Sequence, residues 1–386
     1  MASAREAVIA GIGQTEFSKN SGRTTMQLAA EASIAAIRDA RLSPADIDGM
    51  VTFTIDENDE LSLMRNIGAK DLRFTARTPG GGGLSAATVQ LAAAAVTSGA
   101  ASAVLIYRAF NERSGKRFGQ PMPRSEQPRA PIPAKMSWVL PYGADTPAKF
   151  YSLWYQRYMY AYGVENADFG RYSVVARKHA ATNPNAWFYQ RPITLEDHQN
   201  SRWIVEPVLR LLDCCQESDG GVAFVVTTAE RARDLGRPLV RVIAADQSHQ
   251  AGSDELLDYY QGDRATFPEA DELSRGLYGK TGLRPADIDV ALIYENFSPV
   301  VFMQLESFGF CGRGEAKDFI ADGNIELGGT IPVNTNGGLL GEGYIHGLNN
   351  ILEGVRQIRG EAPNQVEDVE NVLVSAGRSG LILSKG

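Results

Sequence analysis

The sequence predicts an α/β protein whose core is one strand–helix unit written twice, with helices covering mixed sheets. Three observations carry this expectation. Short apolar runs alternate with helix-like stretches, a seven-residue pattern repeats in the second half, and glycine-rich turns precede a helix at matching points of both halves. The repeat is Leu42-Ser43-Pro44-Ala45-Asp46-Ile47-Asp48, which returns as Leu283-Arg284-Pro285-Ala286-Asp287-Ile288-Asp289.

The flanks of the repeat agree. In the first copy the apolar run 7–12 reads as a buried strand, too short for a helix. A helix follows, opened by Thr24 with Gln27 three residues on, the spacing of a capping box. The Pro-Ala-Asp turn stops that helix and feeds a second strand, 49–53. In the second copy the run 239–245 precedes a helix around Leu273 and Leu277, and the turn leads into a strand at 290–294.

Downstream, Gly80-Gly81-Gly82-Gly83 runs into an Ala-rich helix from about Leu84 to Ser98 and then a strand, 103–107. That helix is apolar nearly all round, as a helix sandwiched between two sheets would be. In the second half, Asn336-Gly337-Gly338 and Gly341-Glu342-Gly343 lead into a helix near 346–358 and a strand at 371–374.

Between the copies the composition changes. All four Trp (Trp138, Trp154, Trp187, Trp203) lie there, with Tyr151, Tyr155, Tyr158, Tyr160 and Tyr162 on one expected helix. The stretch 121–133 is Pro-rich and reads as loop. The expected division is therefore a first half of 1–114 with 212–235, an insertion of 115–211, and a second half of 236–386. The insertion's aromatics either pack it internally or form a bulky apolar pocket or lid.

Composition narrows the function. The 386 residues carry 38 Lys and Arg against 46 Asp and Glu, a net charge of −8 without a basic block, which argues against a nucleic-acid binder. Three Cys, with Cys214 and Cys215 adjacent, exclude a disulfide scaffold and fit a reducing cytoplasm. No apolar run approaches the roughly 18 residues of a membrane span, and the first residues lack a signal peptide's pattern. The expectation is a cytoplasmic protein without membrane association.

Read in order, Ser218-Asp219-Gly220-Gly221 before Ala223-Phe224-Val225-Val226, Gly309-Phe310-Cys311 through Gly314-Glu315, and Pro332-Val333-Asn334-Thr335-Asn336-Gly337-Gly338 resemble the thiolase superfamily. More narrowly they resemble its lipid-transfer-protein group, related to the thiolase part of sterol carrier protein x. The resemblance spans the whole chain. It implies the thiolase fold, in which duplicated βαβαβαββ halves form a five-layered αβαβα sandwich with a helical and loop insertion.

The resemblance breaks at the chemistry. Thiolases carry a nucleophilic Cys three residues ahead of a Gly, before the buried helix. Taking Gly83 as that Gly puts Gly80 at the nucleophile's place, and glycine cannot form an acyl-enzyme. Ser375, in Ser375-Ala376-Gly377, stands for the second thiolase cysteine, and Tyr344 replaces the histidine of the Gly-His-Pro-x-Gly motif. Tyr294-Glu295-Asn296-Phe297 stands where the carrier-protein group has His-Asp-Cys-Phe. Thiolysis and Claisen condensation are thereby disfavoured.

Two tyrosines for two histidines, with glycine for the nucleophile, resemble the steroid side-chain-cleaving aldolases of cholesterol-degrading actinobacteria. That resemblance implies retro-aldol cleavage of a 17-hydroxy steroid C22 β-hydroxyacyl-CoA to a 17-keto steroid of the androstenedione type and propionyl-CoA, with no covalent intermediate. It also implies a homodimer core that binds two copies of a small OB-fold and zinc-ribbon, acyl-CoA-associated partner, a heterotetramer. Zinc would belong to the partner, and CoA enters only as part of the substrate.

The chemistry can be weighed separately. A retro-aldol step needs a base for the hydroxyl proton, stabilisation of the thioester enolate and an acid to protonate it, but no nucleophile. Neither Lys149 nor Lys178 reads as a buried Schiff-base lysine, and His179, His198, His249 and His346 show no metal-ligand spacing. Tyr294 and Tyr344 are the expected catalytic residues. A phenol with its ordinary pKa of about 10 is ionised about once in a thousand at neutral pH, a cost near 4 kcal/mol. Tyr344, before an expected helix start, would gain from that helix's dipole. The reading favours Tyr344 in proton transfer with Tyr294 as its partner, though either can instead be a neutral donor to the thioester oxygen.

The expected substrate contacts are Gly80, Asn296, His346 and Ser375. Gly80 would leave room for a tertiary carbinol. His346 is either a catalytic histidine shifted by two residues or a residue orienting Tyr344, and Ser375 either keeps a hydrogen bond in the site or is a plain turn residue. A thiolase-fold subunit that only binds acyl-CoA is the alternative reading.

Overall fold

The structure, a computed structural model, describes residues 5–117, 119–120, 139–236, 238–250 and 265–386. The Pro-rich stretch 121–133 and Trp138 lie outside the described residues.

The first half runs β1 (Ala7–Gln14), α1 (Thr25–Asp39), β2 (Gly49–Phe53), α2 (Glu60–Ile67), β3 (Phe74–Thr78), α3 (Ser85–Ser98) and β4 (Ala103–Asn111). Thr24 caps α1 with the reciprocal Gln27 bond expected of its spacing. The buried face of α1 is small (Ala29, Ala32, Ala36), and it lies very close to β1. A Cβ on Gly11 would come 2.2 Å from the Ala36 carbonyl, and one on Gly13 2.2 Å from that of Ala32. Glycine at these two strand positions therefore sets the distance between sheet and helix.

The insertion contributes α4 (Pro147–Tyr162), α5 (Asn166–Thr182), α6 (Leu195–Asn200) and a short hairpin of β5 (Trp203–Val205) and β6 (Leu209–Arg210). The chain then returns as β7 (Asp219–Thr228), which pairs antiparallel with both β4 and β1, and continues into α7 (Ala229–Asp234).

The second half repeats the plan as β8 (Val240–Gln247), α8 (Pro268–Thr281), β9 (Val290–Ile293), α9 (Pro299–Ser307), α10 (Ala316–Ala321), α11 (Gly338–Gly341), α12 (Leu348–Arg359), β10 (Asn371–Ser375) and β11 (Ser379–Lys385). Strand order across the sheet is β3-β2-β4-β7-β1-β8-β11-β10-β9. Within the first half the order is third, second, fourth, fifth, first. The second half has the same order, its third strand reduced to one parallel bridge between Ala291 and Val333. The halves join between β1 and β8 at a single register pair, Val8 with Arg241.

The repeated turn has a mechanical reason. Each Pro-Ala-Asp segment forms a short 3-10 turn. The aspartate that ends each repeat then reaches the first amides of the neighbouring parallel strand. Asp48 accepts from the amides of Ser102 and Ala103 at 2.8 and 2.9 Å, and Asp289 from those of Glu370 and Asn371 at 2.8 Å each. The two carboxylates are latches that start β4 beside β2 and β10 beside β9.

Helices α3 and α12 each touch strands of both halves and lie between the two halves of the sheet, as the apolar composition of α3 requires. On the outer faces α1 covers β1, β7 and β4, while α8 covers β8 and β11. The layering is αβαβα. Among the described residues no helix is long and apolar enough to cross a membrane.

Candidate active site

A cavity of about 650 Å³ opens between the ends of the core strands and the insertion. Its floor holds Tyr294, Tyr344, His346 and Gly82; Tyr151, Trp154, Phe267 and Phe297 line one side. Lys19, Arg113, Arg117, Arg177, Arg202 and Arg378 bring positive charge to its wall.

Tyr294 directly follows β9. Its amide donates to the Ser375 carbonyl at 2.7 Å and its carbonyl accepts from Gln304 Nε2 at 3.0 Å, so the backbone is held on both sides. Tyr344 comes from the turn after α11, where its amide donates to Ser218 Oγ at 3.1 Å. The two phenol oxygens meet at 3.0 Å, and the residues are only 9% and 8% exposed. Sequence reasoning placed both at one site, and the fold brings them together.

Their protonation differs from the expectation for Tyr344. Burial pushes both phenols well above the ordinary tyrosine pKa, so both are neutral near pH 7. The expected help from a helix start is missing because α12 begins only at Leu348, after a kink with His346 at φ 50° and Gly347 at φ 78°. A helix dipole fades within about one turn of the end, and Tyr344 lies outside it.

His346 is 3% exposed and packed against Phe53, Phe110 and the edge of Tyr344. Arg108 Nε donates to its Nδ1 at 3.1 Å, and Arg108 itself pairs with Asp56 at 2.8 Å. Burial and then the neighbouring guanidinium drive the imidazole pKa well down. The ring is therefore neutral, its single N–H proton on Nε2, and it packs edge-on against Tyr344.

The glycine run works two residues later than expected. Gly80 is exposed at φ 69°, with open space around it and its amide bonded to Thr54 Oγ1, and it is not part of the cavity wall. Gly82 is the position that must lack a side chain. A Cβ there would lie 2.1 Å from Tyr294 Cε2. Gly347 serves the same ring from the other side, its Cβ position 2.8 Å from Cδ2.

Asn296 lines the cavity; its carbonyl accepts from the Cys215 amide at 3.0 Å and its Oδ1 from the Tyr155 hydroxyl at 3.4 Å. Ser375 sits behind the wall. Its hydroxyl donates to Gln304 Oε1 at 2.7 Å and accepts from the Gly377 amide at 3.2 Å. Ser375 thus steadies Gln304, which in turn holds Tyr294, and Gln304 rather than Ser375 faces the cavity.

Sequence reasoning missed Glu112, Lys19 and Gln304. Glu112 follows the last residue of β4, a carboxyl at the end of a buried strand, and that strand runs four residues past the apolar run that signalled it. Lys19 Nζ donates to Gln216 Oε1 at 2.7 Å and to the Glu217 carbonyl at 2.6 Å, and burial lowers its pKa to about 8. Of the insertion's aromatics, Tyr151 and Trp154 line the cavity while Tyr155 and Tyr158 are core residues and Tyr160 is exposed.

The insertion also braces the floor. Helix α5 lies against α11 so tightly that Cβ atoms on Gly337 and Gly341 would meet Ala180 at 2.4 and 2.5 Å. The Trp187 amide donates to the Glu342 carbonyl at 2.8 Å, two residues before Tyr344.

Comparison with known proteins gives the family. Residues 257–385 match the family described as thiolase C-terminal domain-like. The chain is 55% identical over 381 residues to the steroid side-chain-cleaving aldolase of Thermomonospora curvata, covering 98% of this chain and 97% of that one. It is 53% identical over 382 residues to the 17-hydroxy-3-oxo-4-pregnene-20-carboxyl-CoA lyase of Mycobacterium tuberculosis, covering 98% and 99%. A solved structure of an Ltp2-ChsH2(DUF35) aldolase superposes with a TM-score of 0.91 at 54% identity, over 98% of both chains. An acetyl-CoA acetyltransferase from Syntrophomonas wolfei shares the fold at TM-score 0.70 and 13% identity, over 99% and 98%.

Proposed function

Because this chain belongs to the steroid side-chain-cleaving aldolases of the thiolase superfamily, we propose that it cleaves the side chain of a 17-hydroxy steroid C22 β-hydroxyacyl-CoA. The products are a 17-keto steroid and propionyl-CoA. The observation that carries the reading is the pair of neutral phenols 3.0 Å apart on the floor of a cavity with aromatic and cationic walls.

In this reaction the hydroxyl proton leaves, the bond between carbon 17 and the α-carbon breaks, and its electron pair passes into a thioester enolate. The α-carbon then takes up a proton. Neutral phenols suit the second demand, since hydrogen-bond donors fixed in a dry site stabilise a developing enolate oxygen. The 3.0 Å contact lets one phenol polarise the other, so the pair acts as one donor. His346 and Gln304 hold it in place without reacting. The cationic wall suits the phosphates of CoA, and the face made by Tyr151, Trp154, Phe267 and Phe297 suits a rigid apolar steroid.

The solved relative is named as a complex with a DUF35 protein, which supports a partner of that type for this chain. In this reading the partner is a small OB-fold and zinc-ribbon protein that holds any zinc, and two copies bind a homodimer of this chain in the cytoplasm.

The test is to incubate the purified complex with a 17-hydroxy steroid C22 CoA ester and follow propionyl-CoA and 17-keto steroid. Both products should appear in equal amounts. Tight binding without either product would instead mark a subunit that only holds the ester.

A further inference from the structure

The proposed cleavage needs a proton acceptor, and the phenol pair does not supply one. Both phenols are neutral, and burial also raises the thiols of Cys214 and Cys215, which line the same cavity. His346 spends its acceptor nitrogen on Arg108.

Glu112 is different. It is 3% exposed, its residue lines the cavity with both phenols, and its Oε2 is fully buried without a hydrogen-bond partner. A buried carboxylate oxygen left unpaired is costly, and such a group persists where something else needs it. It is also tied to the phenol floor. The Glu112 amide donates to the Ser218 carbonyl at 3.3 Å, while Ser218 Oγ accepts from the Tyr344 amide. One residue thus fixes the backbones of both side chains.

We propose that Glu112 is the catalytic base, receiving the proton of the substrate hydroxyl as the carbon–carbon bond breaks. This rests on the aldolase reading above. The O–H bond breaks and its proton forms a bond to the Glu112 carboxylate; the carbon–carbon electron pair becomes the enolate, to which the phenols donate. Glu112 then returns a proton to the α-carbon, directly or through the phenol pair, and is again a carboxylate. Atoms and charge balance without any co-reactant.

The surroundings tune the group. Burial, helped by Glu217, raises its pKa against the opposing Ser218 backbone, Lys19 and Arg108, to about 8 in all. On Lys19 itself Arg113 acts downward and Cys215 upward, and Glu112 in turn adds to the upward shift of Tyr294 and Tyr344. A base with a pKa near the working pH is well matched to proton transfer.

The experiment uses the complex with its partner and compares wild type, Glu112→Gln and Glu112→Asp in kcat and KM from about pH 6 to pH 10. Wild-type kcat should rise with pH through an apparent pKa near 8 and then level off. Glu112→Gln should lose that rise and about 10²- to 10⁴-fold in kcat, with little change in KM, and Glu112→Asp should recover part of the loss.

Thermal melting separates this from a structural role. A carboxyl whose folded pKa lies above its unfolded value of about 4.3 destabilises the fold as pH rises from there through about 8. Glu112→Gln removes that penalty and should melt above wild type at pH 9. If Glu112 were chiefly a salt-bridge partner of Lys19, the variant would melt lower. Wild-type-like kcat with an unchanged pH profile in Glu112→Gln overturns the assignment alone. A wild-type complex that releases no propionyl-CoA overturns the aldolase reading and this assignment with it.

Discussion

The two halves of the core share strand order and turn chemistry, yet they bring different things to the cavity. The second half supplies the phenols, one at the end of β9 and one in the turn before α12. The first half supplies space and charge. The glycine turn before α3 contributes Gly82, a hole for the Tyr294 ring, and β4 contributes Arg108 within the strand and Glu112 just beyond it. A duplicated scaffold therefore works here as a donor half facing a shaping half. Tyr294 and Glu112 each sit just past the end of a strand, where α/β folds leave side chains free of packing duty, while Tyr344 comes from a turn.

That division can be broken most forcefully on the donor side. Tyr294→Phe and Tyr344→Phe each remove one hydrogen-bond donor and keep the ring. Each should lower kcat by about 10²- to 10³-fold. The double variant should lose little more than the worse single one, because coupled groups act as a unit. Steady-state kinetics on the steroid CoA ester would check this, and near-additive losses would mean that the phenols work independently.

Both tyrosines were legible in the sequence because they occupy motif positions in a chain whose repeat could be aligned on itself. The shaping half was less so, for definable reasons. The motif spacing points to Gly80 as the empty position, but the turn reverses at Gly80 and presents Gly82 to the ring two residues later. Glu112 was hidden because it lies past Arg108, a buried charge that ends the apolar run 103–107 and is held by Asp56 and His346. Those partners come from elsewhere in the chain, His346 from the other half, and no local pattern announces them. Ser375 was placed at the right strand end, yet its hydroxyl turns inward to Gln304, whose position on α9 carries no motif at all.

The shaping half gives the next largest effect. Gly82→Ala would push a methyl group into the Tyr294 ring, and the ring must move by about the 1 Å that costs roughly 10²-fold in a positioned active site. Gly80→Asn is the control, since Asn tolerates the left-handed backbone there and nothing lies within 4 Å of its Cβ. It should keep nearly full kcat. If the two variants behaved alike in the propionyl-CoA assay, the glycine run would be a flexible tether and not a fitted recess.

The smallest effect tests what the halves share. Asp48→Asn and Asp289→Asn each keep the size of the latch, and one oxygen accepts both strand-start amides at each site, so what the change removes is the charge. Hydrogen bonds to a charged acceptor are worth about 1.5 to 3 kcal/mol when buried, and both aspartates are partly exposed, so each change should cost about 1 to 2 kcal/mol of stability. The two sites lie in separate halves and share no partner, so the double variant should lose the sum. Both latches grip the start of a parallel strand, at the end away from the phenols, so kcat measured well below the melting temperature should not move. Urea unfolding checks the stabilities. A clearly larger loss at Asp289 would mean that the donor half depends more heavily on its latch, as its third strand, reduced to a single bridge at Val333, would lead one to expect.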